Sequence, residues 1–482
     1  MRNQLYIDGR WVTGSGPMWN VINPATEEVI TTIRLADAGD VDRAVTAADK
    51  ALSHWKKIAT AERANLLHSI AQRVHAHRDI LIHLQMANSG KPYAEAEIDI
   101  NAVVETFTYY ADGLLSEPGA ATINVYPGTC GRIVNTPVGV AGLIVPWNFP
   151  MVTTAWKLAP ALAAGCTVVI KPSEFTPLAE LALAGIIEEV GLPPGVVNVL
   201  PGLGAEVGAA MVKDMRVRKI SFTGSGLVGK QILRESAEAV KNVSLELGGK
   251  SAIIVFADAD LHAAAELVMA GIFYNAGQMC SATSRLLVES SIKNELTTLI
   301  ISKMAEIVVG SPMNDESSMG PLTTALQYQR VIRMVDAAKR SEGATLLAGG
   351  KRPTRIGARG FFYEPTLIEV TDPSLEIWTE EVFGPVLSLM QFTDDAHAVE
   401  LANSSKYGLA ASVVSGSESR AERVASELEA GFVTINSPQI VSPKLSWGGY
   451  KESSLGRELG RFGLASFQEV KSIIKPSAQT TR

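Results

Sequence analysis

Val140-Ala141-Gly142-Leu143-Ile144-Val145 opens a series of short β-rich runs, continued by Thr167-Val168-Val169-Ile170 and by residues 196–200, 219–222 and 252–256, with helical stretches between them. Strands alternating with helices at this spacing read as βαβ units on a parallel sheet, which assigns the chain to the α/β class. Thr176 and Pro177 suit the N-cap and first position of one intervening helix, and Asp260 suits the start of another that runs through Leu267 towards Phe273. Before this series, Asp40 suits an N-cap ahead of Val41, Ala44, Val45, Ala48 and Leu52, and Leu66, Leu67, Ile70 and Val74 form a second helical stripe. The first hundred residues are therefore expected to be mainly helical, after a strand-and-turn entry around Trp11 and Pro24. Beyond the series, residues 286–288 and 386–390 are strand-like and 419–428 helical. Phe467, Val470, Ile473 and Ile474 suit a final edge strand, and an open edge tends to pair.

A chain of 482 residues exceeds one ordinary hydrophobic core, so two or three folded units are expected. Hydrophobic residues at 46% and charged residues at 19% fit a globular enzyme. The net charge of −7 and pI near 5.7 argue against nucleic acid, whose binding draws on clustered Lys and Arg, and favour a small-molecule ligand. The first residues lack the apolar core of a signal peptide, and no apolar run reaches the roughly 18 residues of a membrane span, so a cytoplasmic protein without a membrane partner is expected. Cys130, Cys166 and Cys280 make no disulfide framework and are expected to be reduced.

Several motifs could carry chemistry, and each has a plainer alternative. Gly224-Ser225-Gly226-Leu227-Val228-Gly229 is a G-x-G-x-x-G directly after a strand-like run. It is weak alone, because a dinucleotide fingerprint opens the first βα unit, and a tight turn without ligand fits as well. Lys171-Pro172-Ser173-Glu174 ends a strand, where its charged pair suits ribose hydroxyls or is merely solvated. In Pro146-Trp147-Asn148-Phe149-Pro150, Asn148 is either an oxyanion donor on a fixed arm or an ordinary turn residue. Gly277-Gln278-Met279-Cys280-Ser281 sets a thiol among small residues that let a substrate approach, whereas Cys130 and Cys166 read as small core hydrophobes. Leu245-Glu246-Leu247-Gly248-Gly249-Lys250 holds a carboxylate in an apolar setting, where desolvation makes it a candidate base; a structural ion pair is the alternative. Glu380-Glu381-Val382-Phe383 offers carboxylates for ribose hydroxyls and a ring for a flat partner, or else a charged helix end.

Taken jointly, in this order and spacing, the motifs resemble the aldehyde dehydrogenase superfamily from Val21-Ile22-Asn23-Pro24 to Leu455-Gly456-Arg457-Glu458-Leu459-Gly460, with residues 245–250 and 277–280 the most specific pieces. The resemblance implies Cys280 as nucleophile, Glu246 as general base, Asn148 with the Cys280 backbone N–H as oxyanion hole, and Lys157 with Glu458 as a proton relay. It implies an NAD site, NADP being possible, formed by Val145, Trp147, Lys171, Ser173, Glu174, Gly204, Thr223, Gly224, Ser225, Val228, Glu246, Leu247, Gly248, Glu381 and Phe383, and no metal. Glu174 should favour NAD by repelling the NADP 2′-phosphate. The implied fold is a Rossmann-type cofactor domain over 1–117 and 136–248, an α/β catalytic domain over 249–452, and a small β oligomerisation element over 118–135 and 453–482 that makes a homodimer or homotetramer.

The implied reaction oxidises an aldehyde to its acid through a thioester on Cys280, hydrolysed by water that Glu246 activates. Residues 277–288 are similar to the betaine-aldehyde and aminoaldehyde branch, in which aromatic residues box a cationic tail. The matching positions are Phe149, Trp156, Tyr274 and Trp447. Phe149 and Tyr274 are ring substitutions for the residues expected there, so aromatic or apolar aldehydes fit the same box. A coenzyme A-acylating dehydrogenase and a catalytically silent binding homologue are the competing readings.

Overall fold

The computed structural model describes residues 2–116 and 122–477. Its first large sheet runs, edge to edge, Arg10–Val12, Leu5–Ile7, Val197–Val199, Thr167–Lys171, Val140–Ile144, Val217–Thr223, Asn242–Glu246 and Ser454–Leu455. The five inner strands from Val197–Val199 to Asn242–Glu246 are parallel. Numbered along the chain, they stand in the order 3-2-1-4-5 of a doubly wound nucleotide-binding sheet. The direction of winding reverses between Val140–Ile144 and Val217–Thr223, and such a sheet opens its ligand crevice beyond the carboxyl ends of those strands. Residues 145–149 and 223–225 emerge there.

The second sheet is ordered Ala344–Ala348, Thr366–Val370, Val386–Phe392, Arg285–Glu289, Ala252–Val255, Ala410–Val414 and Phe432–Ile435, parallel except for its first pair. Ala252–Val255 lies within this sheet, so the alternation from Val140 onward spans two sheets where the β-rich runs suggested one. Only the run at 242–246 was missing from that pattern; its Asn, Ser and Glu break up the apolar residues.

Two helix starts differ from expectation. The first long helix, Ala38–Trp55, is capped by Asp37, whose side chain accepts from the Asp40 N–H while Asp40 reaches back to the cap. Asp40 is thus the third helical residue of a capping box. The helix Leu178–Val190 has Pro177 at its cap with no side-chain bond; its first N–H donates to Asn88 Oδ1 at 3.4 Å, and the Thr176 hydroxyl donates to the Trp147 carbonyl 3.2 Å away. Asp260 caps Leu261–Phe273 as expected, accepting from the N–H groups of His262 and Ala263.

Gln468–Pro476 pairs along its length with Thr129–Pro137, which pairs with Ile123–Tyr126. This small sheet carries exposed apolar side chains, among them Tyr126 (74% exposed) and Val470 (70%). Residues 118–121 and 478–482 of the expected oligomerisation element lie outside the described residues. Ser454–Leu455, also within that element's expected bounds, pairs instead with Leu245 and Glu246 in the first sheet. Among the described residues no helix is long and apolar enough to cross a membrane, and no cluster of residues could hold a metal ion.

Candidate active site

The loop 247–251 joins the carboxyl end of Asn242–Glu246 in the first sheet to the start of Ala252–Val255 in the second. The seam between the two sheets holds a cleft of about 620 Å³. From the first sheet come Trp147, Asn148, Phe149, Thr223, Gly224 and Ser225, and from the approach to the second come Leu247, Gly248, Cys280, Glu381 and Phe383.

Cys280 follows three successive left-handed residues, Asn275, Ala276 and Gly277, with φ of 51°, 51° and 73°. A non-glycine residue held there costs on the order of 1–3 kcal/mol and needs support from its surroundings. Asn275 supplies it: its N–H donates to Glu95 Oε1 at 3.0 Å, and its amide donates to the carbonyls of Asn148 and Gln278 at 3.0 and 3.2 Å. Gly277 must be glycine, since a Cβ would stand 2.0 Å from the Gly384 carbonyl oxygen. A Cβ on Gly249 would meet the Cys280 carbonyl oxygen at 2.5 Å, so the missing side chain lets the loop after Glu246 close on the cysteine. Burial, then the carboxylates of Glu381 and Glu246, push the thiol of the half-buried Cys280 up to about 12.

Glu246 ends its strand buried, with neither carboxylate oxygen partnered. Burial and the neighbouring Glu458 raise its pKa well above the ordinary carboxylate range, against the pull of Lys157 and Arg457. Glu458 Oε1 accepts from Lys157 at 2.6 Å and from Ser221 Oγ at 3.3 Å, and Lys157 also donates to Thr223 Oγ1 at 2.6 Å. Asn148 donates one amide N–H to the Gln278 carbonyl at 2.8 Å; the bond fixes its arm beside the Cys280 loop and leaves a second N–H.

On the cofactor side, Ser225 caps the helix Gly226–Ser236, accepting from the Val228 N–H at 3.4 Å. This free helix end, beside the reversal of strand order, suits a pyrophosphate. The G-x-G-x-x-G thus opens the helix after the fourth parallel strand, not the first. Lys171 and Glu174 form a 3.2 Å ion pair, and the Ser173 hydroxyl accepts from the Phe175 N–H. The Val145 N–H donates to the Lys171 carbonyl, tying the two strand ends together. Gly204 begins a single π-helical turn, and of the residues expected at the cofactor Gly204, Val228, Val145, Lys171, Ser173, Glu174 and Glu246 do not line the cleft. Glu381 accepts from the Gly249 N–H at 3.0 Å, and burial pushes its carboxyl up to about 7. Phe383, at φ 60°, meets Trp147 edge to face at 5.4 Å. A helix end for a diphosphate, hydroxyl partners on either side and a flat aromatic wall together fit a dinucleotide.

On the substrate side, Phe149 and Tyr274 stack 6.1 Å apart, and Trp156 and Trp447 meet at 5.5 Å. Three residues not singled out in the sequence support them. Lys91 Nζ lies 3.5 Å from the Phe149 ring centre and pairs with Asp99, while Glu95 holds Asn275. Lys91-Pro92-Tyr93 at the start of a helix is an unremarkable pattern in a linear sequence; the Phe149 ring that Lys91 meets and the Asn275 N–H that Glu95 holds lie about 60 and 180 residues away.

A profile of the aldehyde dehydrogenase family matches residues 11–473. A chloroplastic aminoaldehyde dehydrogenase of Arabidopsis thaliana is 44% identical, the match covering 98% of this chain and 95% of the relative. A betaine aldehyde dehydrogenase of Oryza sativa subsp. japonica is 43% identical over the same shares. The crystal structure of a Staphylococcus aureus betaine aldehyde dehydrogenase in complex with NAD+ superimposes with a TM-score of 0.96 at 40% identity, covering 98% of this chain and 94% of that one. With a thiol, an unpartnered carboxylate and a dinucleotide-shaped crevice meeting at one seam, and with similarity along nearly its whole length, the chain belongs to the aldehyde dehydrogenase family.

Proposed function

We propose that Cys280 adds to the aldehyde carbon, that Asn148 and the Cys280 backbone N–H hold the oxyanion so formed, and that Glu246 activates the water that hydrolyses the resulting thioester. The protein oxidises an aldehyde to its carboxylic acid with NAD+. When bound, the cofactor supplies the hydride acceptor. Lys171 and Glu174 would hold the adenosine ribose, Ser225 and the helix it caps the pyrophosphate, and Glu381 with Phe383 the nicotinamide end. In deacylation Glu246 takes a proton from water as the hydroxyl oxygen bonds to the thioester carbon; the C–S bond then breaks, returning Cys280. The observation that carries this reading is the buried Glu246 carboxylate with no partner on either oxygen, one loop away from the thiol. A buried acceptor left unpaired is costly, and a water held there for attack would offset the cost.

The division into a cofactor unit, a catalytic unit and an oligomerising sheet belongs to the same proposal, as does a homodimer or homotetramer built on the exposed apolar face of the small sheet. A cytoplasmic location is proposed from three free cysteines; several plant relatives are named as chloroplastic or peroxisomal proteins. The substrate is proposed to be a bulky aldehyde with a cationic tail, supported by the two aromatic pairs, by Glu105 on the cleft wall, and by the relatives' names.

Rates with betaine aldehyde, an aminoaldehyde, phenylacetaldehyde and acetaldehyde, each with NAD+ and NADP+ and without coenzyme A, test the reading. The expected result is acid formation with the highest kcat/KM for a cationic aldehyde and NAD+. A best rate with acetaldehyde, unchanged in Trp447→Ala, would overturn the substrate proposal. Acid appearing only when coenzyme A is added would overturn the hydrolytic one.

A further inference from the structure

Buried parallel strands are ordinarily apolar on both faces, as Val140–Ile144 is. The next two strands are not. Lys219 pairs in register with Asn242, Ser221 with Ser244, and Thr223 with Glu246, so period-two alternation sets six polar side chains on one face. The opposite face, with Ile220, Phe222 and Leu245, packs into an apolar cluster. The polar face meets Lys157 and Glu458 at its Glu246 end.

Lys219 is fully buried, and its ammonium donates to Ser244 Oγ and, at 2.8 Å, to Asn242 Oδ1. The groups facing it are Glu458, Lys157, the Cys166 thiol and the Phe467 ring, whose centre is 5.4 Å away. Ser221 and Ser244 sit side by side on strands about 4.8 Å apart. Polar groups therefore run from Glu246 through Glu458, Ser221, Ser244 and Lys219 to Asn242, the rung that is partly exposed.

We propose that Lys219, with Ser221 and Ser244, is the outer leg of a proton exit path that clears Glu246 after each hydrolysis and opens to solvent at Asn242. The inference rests on the deacylation reading of Glu246. No hydrogen bond joins Glu246 to Glu458 or Ser221 to Ser244, so at these two steps the proton passes through an intervening water, and each serine accepts one proton while donating another. Lys219 accepts the proton as neutral amine and releases it to water at the Asn242 edge, regenerating the Glu246 carboxylate. Burial pushes the Lys219 amine down to about 7, which makes the neutral form available near physiological pH.

The test follows reduced-cofactor burst and subsequent acid release in Lys219→Met, Lys219→Arg and Ser221→Ala, with Glu246→Gln as control. The burst should be unchanged in the first three, while acid release falls about tenfold and its solvent deuterium isotope effect grows. Arginine keeps the charge but cannot deprotonate, so a merely structural charge would be rescued in Lys219→Arg and a relay would not. Ser221→Ala removes a single oxygen and decides the matter should the lysine variants fail to fold. Wild-type acid release in Ser221→Ala, or its restoration in Lys219→Arg, would overturn the exit path while a slow Glu246→Gln leaves the base assignment standing. Full turnover in Glu246→Gln would overturn both.

Discussion

Two buried clusters flank the cleft, each built from one lysine and two carboxylates, yet they treat those charges differently. In the first, Lys91 pairs with Asp99 and lies on the Phe149 ring, and Glu95 accepts from the Asn275 backbone. In the second, Lys157 pairs with Glu458, and Glu246 is left with neither oxygen bonded. Of these four carboxylates Glu246 alone lacks a partner on both oxygens. The first cluster spends its charges on shape: it steadies the Phe149–Tyr274 stack and the left-handed turn ahead of Cys280. The second leaves one acceptor free at the seam between the sheets. The same inventory thus serves as scaffold on one side and, in the proposed mechanism, supplies the base on the other, and within these two clusters the unbonded carboxylate is the one assigned that role.

Cys280→Ala should have the largest effect. Turnover should vanish while NAD+ still binds, measured by reduced-cofactor absorbance and by calorimetry; residual activity above a few per cent of wild type would remove Cys280 from the chemistry. Asn148→Ala comes next, since loss of one oxyanion donor costs about 10²–10³ in rate. Its burst rate should fall by that factor, and a near-wild-type burst would put Asn148 outside the site. Asp99→Asn should have the smallest effect on chemistry. Removing one partner of a buried pair destabilises by about 3–5 kcal/mol, so unfolding should shift clearly in thermal and denaturant titrations while the ratio of burst to steady-state rate stays as in wild type. A selective loss of acid release in Asp99→Asn would erase the distinction between the clusters.

Lys157, Glu458 and Glu246 were singled out only through the joint resemblance of the motifs to the family, since the motif around Glu246 alone also admits a structural ion pair. The scaffolding cluster was not, because Lys91, Asp99 and Glu95 acquire meaning only from Phe149 and Asn275, far along the chain. The strand pair around Ser221 and Ser244 lay in plain view as Lys-x-Ser-x-Thr and Asn-x-Ser-x-Glu, but polar alternation suggests a solvated face until the register reveals it is covered. Local competition explains the first helix start. Asp37 and Asp40 are equally good caps by composition, and the capping box gives them different positions. At the helix after Pro177 the first N–H is taken by Asn88, 90 residues back in the chain, which local sequence does not reveal.

The central claim is that Glu246 is a free base for deacylation, and the most direct measurement is acid release after the burst in Glu246→Gln, followed across pH. A base whose pKa is raised must lose its proton to act, so in wild type the rate should climb with pH into a range above that of ordinary carboxylates. In Glu246→Gln the burst should persist, acid release should fall by about 10²–10⁴, and the pH dependence should flatten. An equal loss of burst and acid release would contradict the claim and make Glu246 the group that ionises Cys280 instead.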